Sequence, residues 1–160
     1  MSNEFVHGEI DGVVVKSLTK HVDERGWLCE LFRQDELPRE VHPVMSYVSL
    51  TLPGVVRGPH AHQQQWDYFC FVGPSNFKVY LWDNRPGSAT FGRMMVLYAG
   101  EDAPKAVVVP PGVVHAYKNV GWRPGLVFNA PNRLYAGWGR SEPVDEIRWE
   151  EDPDSVFRVD

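Results

Sequence analysis

Gly54-Val-Val-Arg57-Gly-Pro-His60-Ala-His62-Gln-Gln-Gln-Trp-Asp67 is the stretch on which the fold turns. It opens at a Pro53-Gly54 turn signal, carries another at Gly58-Pro59, and runs into the aromatic-rich segment Tyr68–Val72. Successive side chains of a strand alternate faces, so His60 and His62 project to one side together. Asp67 follows five residues after His62, at the start of the next strand-like run, where its carboxylate can return to the pair.

The same grammar extends in both directions. Breaks at Gly73-Pro74, Pro86-Gly87, Pro110-Pro111-Gly112 and Pro124-Gly125 separate runs rich in β-branched and aromatic residues. Those runs are Val13–Leu18, Trp27–Phe32, Val44–Leu52, Tyr68–Val72, Phe77–Trp82, Met94–Tyr98, Ala106–Val109 and Leu126–Ala130. Spaced about ten residues apart, with a turn or two of helix at most near Gln34–Leu37, they predict an all-β sandwich or small barrel rather than an α/β fold. With no repeat, low-complexity tract or linker, residues 1–160 read as a single domain. The acidic segment Glu142–Asp154 interleaves Val144, Ile147 and Trp149 and is expected to pack on the domain surface.

Composition narrows the partners. The 160 residues are 43% hydrophobic and 23% charged, and 16 Lys plus Arg against 21 Asp plus Glu give a net charge of −5, which argues against nucleic acid as a partner. Eleven arginines against five lysines favour a small anion, because a guanidinium fork captures phosphate or carboxylate with two bonds. No run approaches the ~20 apolar residues of a membrane helix, and the start, Met1-Ser-Asn-Glu-Phe-Val-His-Gly, lacks a charged-then-apolar leader. The expectation is therefore a cytoplasmic protein with no membrane partner. Cys29 and Cys70, without CxxC spacing, read as small core residues.

A third histidine stands downstream, in Pro110-Pro-Gly-Val-Val-His115-Ala-Tyr-Lys-Asn119. The pattern G-x5-H-x-H-x4-D followed by P-x-G-x2-H-x3-N resembles the two signature motifs of the cupin superfamily, with Asp67 where many members have Glu. That resemblance implies a double-stranded β-helix, or jelly-roll barrel. It also implies that His60, His62, Asp67 and His115 converge in its mouth, where many cupins bind one divalent transition metal.

A narrower resemblance spans nearly the whole chain. Asp23-Glu-Arg25-Gly-Trp-Leu-Cys-Glu30, Val56-Arg57-Gly-Pro-His60, Ser88-Ala-Thr-Phe-Gly92, Val109-Pro-Pro-Gly-Val-Val-His115 and Ile147-Arg-Trp-Glu-Glu-Asp152-Pro153 are similar to landmarks of the dTDP-4-dehydrorhamnose 3,5-epimerases. That family is cupin-folded and works without a metal. The resemblance implies an isomerase or epimerase that removes a proton beside the ketone of a nucleotide-linked 4-keto-6-deoxy sugar. His60 is then the base, Tyr135 the acid and Asp152 the carboxylate that orients the histidine. Arg25, Glu30, Arg57 and His115 contact the nucleotide sugar. It further implies a homodimer that exchanges an N-terminal strand, so that Arg25 serves the partner's pocket. Trp66, Tyr117, Trp122 and Trp138 are stacking candidates, and Arg85 belongs to a structural turn.

One departure matters chemically. The family carries a lysine a few residues after the catalytic histidine, and Gln65-Trp66-Asp67 occupies that stretch here. An anionic Asp67 beside a developing enolate costs several kcal/mol in a low-dielectric pocket unless a proton or cation intervenes. Two further readings therefore stay open: a metal-dependent enzyme using His60, His62, Asp67 and His115, and a non-catalytic relative that binds nucleotide sugars.

Overall fold

The computed structural model describes residues 4–160. In chain order the strands are β1 (Val6–His7), β2 (Val14–Ser17), β3 (Lys20–Asp23), β4 (Gly26–Cys29), β5 (Tyr47–Thr51), β6 (Val56–Ala61) and β7 (Asp67–Phe71). The rest are β8 (Asn76–Asp83), β9 (Arg93–Gly100), β10 (Lys105–Val109), β11 (Val113–Asn119), β12 (Gly125–Asn129) and β13 (Ile147–Arg148). Helix among the described residues is confined to three-residue 3₁₀ turns at Gln34–Glu36, Arg39–Val41 and Trp138–Arg140.

Two sheets face each other. One runs β1-β9-β8-β11-β6-β13, the other β2-β10-β7-β12-β5, and β3 with β4 form a separate hairpin. The chain is an all-β jelly roll of the cupin kind.

Alternation along the strands builds three apolar layers. Phe69 and Phe71 of β7, Val79 and Leu81 of β8, Val107 and Val109 of β10, and Val113 and Tyr117 of β11 fill the space between the sheets. Tyr68 and Cys70 point to the other side of β7 and pack with Ala106 and Val108 under Leu18, Leu31, Leu37 and Val41. Tyr80 and Trp82, on the back of the other sheet, lie under Phe5, Trp149 and Phe157 from the two ends of the chain. Because both faces of the central strands are covered, Tyr68–Val72 and Ala106–Val109 read as unbroken apolar runs rather than alternating ones. Each such buried side chain contributes about 1.5–3 kcal/mol.

The structure corrects some boundaries. The run Trp27–Phe32 splits, its first half pairing in the β3–β4 hairpin and its second half, with Leu31, packing over β7. The acidic segment does more than lie on the surface: Ile147 and Arg148 add an edge strand beside β6, opposite Ala61 and His60. Cys70 is buried and Cys29 half-buried, and both are free thiols.

Candidate active site

The mouth of the barrel holds two adjoining cavities of about 370 and 340 Å³. Both are lined by Tyr47, His60, Glu146 and Arg148, so His60 stands where they meet. The first continues past His62, Gln65, Arg133, Tyr135 and Arg140. The second continues past Ser49, Arg57 and Tyr117.

A β-bulge aims His60. Arg57 pairs with Tyr117 and His60 with His115, so three steps along β6 oppose two along β11, and the extra residue turns the strand. Gly58 permits it, with φ of +85° and a Cα where a Cβ would meet the His115 carbonyl oxygen at 2.6 Å. The His60 and His115 rings end 4.5 Å apart, edge to face.

The next turn is fixed from far along the chain. The Asp145 carboxylate accepts the backbone N–H groups of Gln63, Gln64 and Gln65 at 2.8, 2.9 and 3.0 Å, while its carbonyl accepts a hydrogen bond from His62 Nδ1. Burial opposes the charge on Asp145, but the three amides hold its pKa below the ordinary carboxylate value.

Behind the histidines Asp67 is buried. Its Oδ1 accepts N–H bonds from Gln65 at 2.9 Å and Asn129 at 2.8 Å. Its Oδ2 lies 3.1 Å from His62 Nε2 and 3.3 Å from His115 Nε2. Burial opposes ionisation of Asp67, and the imidazoles of His62 and His115 facing its Oδ2 outweigh it with the Asn129 amide, leaving the carboxyl far below its usual pKa. Burial pulls His62 down as well, yet the Asp67 carboxylate 3.1 Å away, with the Asp145 carbonyl, brings it to about 9. Burial and the neighbouring His60 push His115 down to about 3. Burial also lowers His60, which stands as a neutral imidazole able to accept a proton. The negative charge that replaces the lysine thus faces a positive one: at neutral pH Asp67 and His62 form a compensated pair.

Whether the quartet suits a metal can be tested on its donor atoms. The Nδ1 atoms of His62 and His115 both donate to backbone carbonyls, of Asp145 and Val113, which turns each Nε2 inward. Ring nitrogens of His60, His62 and His115 lie within 4.8 Å of one another. His115 Nε2 and Asp67 Oδ2 are buried without a hydrogen-bond partner. Two inward lone pairs at 3.3 Å with nothing between them fit a divalent cation, so the residues are compatible with one.

Other expected site residues fall in different places. Arg57 lines the second cavity, its Nε–H bound to Thr51 Oγ1 at 2.9 Å and an Nη2–H to the Leu50 carbonyl at 2.7 Å. His115 is buried behind His60, and Tyr135 lines the first cavity with its ring largely exposed. Arg25 lies outside the cleft, at the exposed turn of the β3–β4 hairpin, paired with Asp23. Glu30 lines a separate groove beside Phe32 and Arg33. Asp152 is exposed and accepts the Asp154 N–H at 2.9 Å, and it lines neither cavity; the carboxylates on the cleft wall are Glu142, Asp145 and Glu146 in the first cavity and Glu146 and Glu150 in the second. Trp66, Trp122 and Trp138 line neither cavity, whereas Tyr117 does and bonds Ser49 Oγ at 2.9 Å. Arg85 is taken up by Asp83, as its place in a structural turn implies.

Sequence reasoning missed Tyr47, Arg133, Arg140, Asp145 and Glu146. Tyr47 carried a usable signal, since it shares strand parity with Ser49 and Thr51 in the predicted run Val44–Leu52. Asp145 had none, because its partners lie some eighty residues away.

Comparison with known proteins identifies the family. Residues 7–132 match the family model described as dTDP-4-dehydrorhamnose 3,5-epimerase. A spore coat polysaccharide biosynthesis protein of Bacillus subtilis is 42% identical over 115 residues, covering 72% of this chain and 75% of its own. A probable low-salt glycan biosynthesis epimerase of Haloferax volcanii is 38% identical over 128 residues, covering 79% and 81%. The crystal structure of a dTDP sugar isomerase from Desulfovibrio desulfuricans superimposes with a TM-score of 0.82 at 23% identity, over 94% of this chain and 91% of that one, and so shares the fold. The chain belongs to the dTDP-4-dehydrorhamnose 3,5-epimerase family and is a nucleotide-sugar epimerase or isomerase.

Proposed function

We propose that His60 is the base that removes a proton from a carbon beside the ketone of a dTDP-linked 4-keto-6-deoxy sugar, and that the proton is returned from the other face. The observation that carries this reading is His60 itself, a neutral imidazole where the two cavities meet. The sugar occupies the junction. Arg57, Arg133 and Arg140 are the cations available to the diphosphate. The Asp67–His62 pair leaves little net charge behind the reacting carbons, which removes the objection that a bare carboxylate raises against an enolate.

The same reading takes a homodimer. Val48 and Leu50 on the edge strand β5 are exposed with Leu52 just after it, and Val22, Trp27 and Leu28 are exposed on the β3–β4 hairpin. In that dimer Arg25 and Glu30 reach the partner's cleft, which accounts for their distance from this one. We place the activity in the cytoplasm, supported by two unpaired cysteines and an intracellular class of substrate. No helix among the described residues is long and apolar enough to cross a membrane.

The experiment is proton NMR of dTDP-4-keto-6-deoxyglucose in heavy water. Deuterium entering carbon 3, carbon 5 or both is the expected result, and H60Q is expected to lower the exchange by about 10³-fold. Wild-type protein that catalyses no exchange overturns the assignment of this substrate.

One observation favours a second reading, the partnerless His115 Nε2 and Asp67 Oδ2. A divalent cation held by His60, His62, His115 and Asp67 would supply Lewis-acid polarisation of the ketone. A metal-held His60 is not a free base, so the two readings exclude each other. Elemental analysis of protein purified without chelator separates them: about one equivalent that H62A or D67A removes supports the metal, and none ends it. Exchange that survives chelation supports His60 as the base.

A further inference from the structure

Resting on the reading of the cleft as a nucleotide-sugar site, we propose that residues 134–142 form a lid. It folds over the bound nucleotide, bringing Trp138 onto the base and Arg140 to the diphosphate. The segment lies beyond β12 and forms a wall of the first cavity, to which Leu134, Tyr135, Ala136, Gly137, Arg140 and Glu142 all contribute.

Its two ends are fixed and its middle is not. On the near side Asn132 Oδ1 accepts the Trp66 N–H at 2.8 Å, Asn132 Nδ2 donates to the Glu40 carbonyl at 2.7 Å, and Arg133 donates to Gln64 Oε1 at 2.6 Å. On the far side the Asp145 carboxylate gathers the amides of Gln63, Gln64 and Gln65. Between these posts the segment pairs with no strand among the described residues. Its backbone hydrogen bonds, from Gly137 to Leu134, Arg140 to Gly137 and Glu142 to Ala136, all close within it. Among the described residues its tie to the rest of the chain is the Tyr135 N–H to Met45 Sδ, a weak acceptor, at 3.2 Å. A span held by its own turns, with little binding it to the barrel, opens at low cost.

The backbone is set for a change of shape. Ala136 and Arg140 stand in the left-handed region at φ +56° and +57°, which a side chain seldom tolerates, and Gly137 and Gly139 lie between them at +70° and +62°. The glycines pass to other conformations without steric cost and serve as hinges, and the movement releases the strain at Ala136 and Arg140.

The side chains on the segment indicate what it closes on. Trp122 and Trp138 are the most exposed tryptophans, at 82% and 83%. Trp122 lies against the Arg123 guanidinium, which itself pairs with Glu101. Trp138 has neither a cation nor another ring against it among the described residues, and Arg140, two residues on, is exposed with no ion-pair partner among them. A flat apolar ring and a guanidinium close together on one loop match the base and the diphosphate of a nucleotide. Arg140 already lines the first cavity, whereas Trp138 lines neither, so stacking requires the segment to move.

Hydrogen exchange read by mass spectrometry tests the lid, on the full chain with and without saturating dTDP, while calorimetry records the binding. The amides of residues 135–142 are expected to exchange fast in the free protein and about tenfold more slowly with dTDP bound. W138A and R140A are each expected to raise the dTDP Kd by about tenfold and to weaken that protection. Both side chains are exposed, so the melting temperature is expected to stay at the wild-type value. Bound dTDP that leaves exchange in residues 135–142 unchanged overturns the lid alone, as does wild-type affinity in either variant. Wild-type protein that binds no dTDP sinks the nucleotide reading, and the lid with it.

Discussion

Asp67 and Asp83 are both buried aspartates at the end of a strand, and they are finished differently. Asp83 closes β8 and has every lone pair claimed: the Arg85 Nε–H and backbone N–H go to Oδ1, and Arg85 Nη2, Ser88 and Thr90 go to Oδ2. Asp67 opens β7 and leaves Oδ2 facing two imidazoles without a hydrogen bond. The cations differ too. Arg85 cannot shed its charge, whereas His62 can. A carboxylate that serves the scaffold is saturated by a permanent cation, and one that serves a site is balanced by a group able to change its charge.

Substitution breaks the comparison most sharply. D83N leaves Arg85 charged with nothing to neutralise it, and stability is expected to fall by about 3 kcal/mol. In D67N, His62 can release its proton, so the loss is limited to imperfect hydrogen bonds, about 1 kcal/mol. Activity runs the other way. D67N disturbs His62, and through Asn129 it disturbs Tyr47 on the cleft wall, so turnover is expected to fall about 10²-fold. Folded D83N is expected to stay close to wild type. Urea titrations beside NMR rates check this, and equal stability losses in the two variants would dissolve the distinction.

The pH dependence of stability sharpens it, measured on chelator-treated protein. His62 is raised from 6.5 to about 9 in the fold, so its contribution is complete below pH 6.5 and is lost as pH rises toward 9. At 1.36 kcal/mol per unit the decline amounts to about 3 kcal/mol, and D67N is expected to remove most of it. Asp83 is held below its ordinary 3.8 by Arg85, Thr90 and Ser88 against the effect of burial. Its contribution is present above that value and fades as pH falls below it, so D83N alters the acid limb and leaves the alkaline slope. An alkaline slope that survives in D67N would mean that His62 does not carry the compensating proton.

These contrasts also explain what was legible in the sequence. Strand runs and turn signals predict an all-β sandwich or small barrel because alternation and glycine-proline breaks are local properties, visible in a few residues at a time, and the cupin resemblance narrows this to a jelly roll. His60, His62 and Asp67 were legible together because their spacing is short, whereas His115 joined them only through the resemblance to the cupin motifs. The Asn129 amide that ties Asp67 to Tyr47 was not legible, since it depends on β12 lying between β7 and β5, a pairing that no local pattern encodes. Nor was the hairpin role of Lys20–Asp23, a polar segment paired with Gly26–Cys29 outside both main sheets.

The smallest effect tests the register of the C-terminal segment. Its family-like motif, Ile147-Arg-Trp-Glu-Glu-Asp152-Pro153, directs attention to Asp152, but the segment is pinned earlier. Ile147 and Arg148 pair with β6, and the Trp149 and Glu150 N–H groups donate to the Pro59 carbonyl at 2.8 and 3.1 Å. That anchoring leaves Asp152 on an outer turn, and it leaves Asp145 where its carboxylate gathers three backbone amides beside His62. D145A therefore exposes the loop that carries Gln63, Gln64 and Gln65 to fraying and is expected to cost about 2 kcal/mol, in the range of hydrogen bonds to a charged group. D152A removes one solvent-exposed turn contact and is expected to stay within about 0.5 kcal/mol. Proton exchange should follow the same ranking, because the Asp145 carboxylate holds the turn that follows His62, whereas Asp152 holds nothing in the cleft. If D152A instead lowers exchange while D145A spares it, the segment must shift when substrate binds, bringing Asp152 to His60 as the family motif implies.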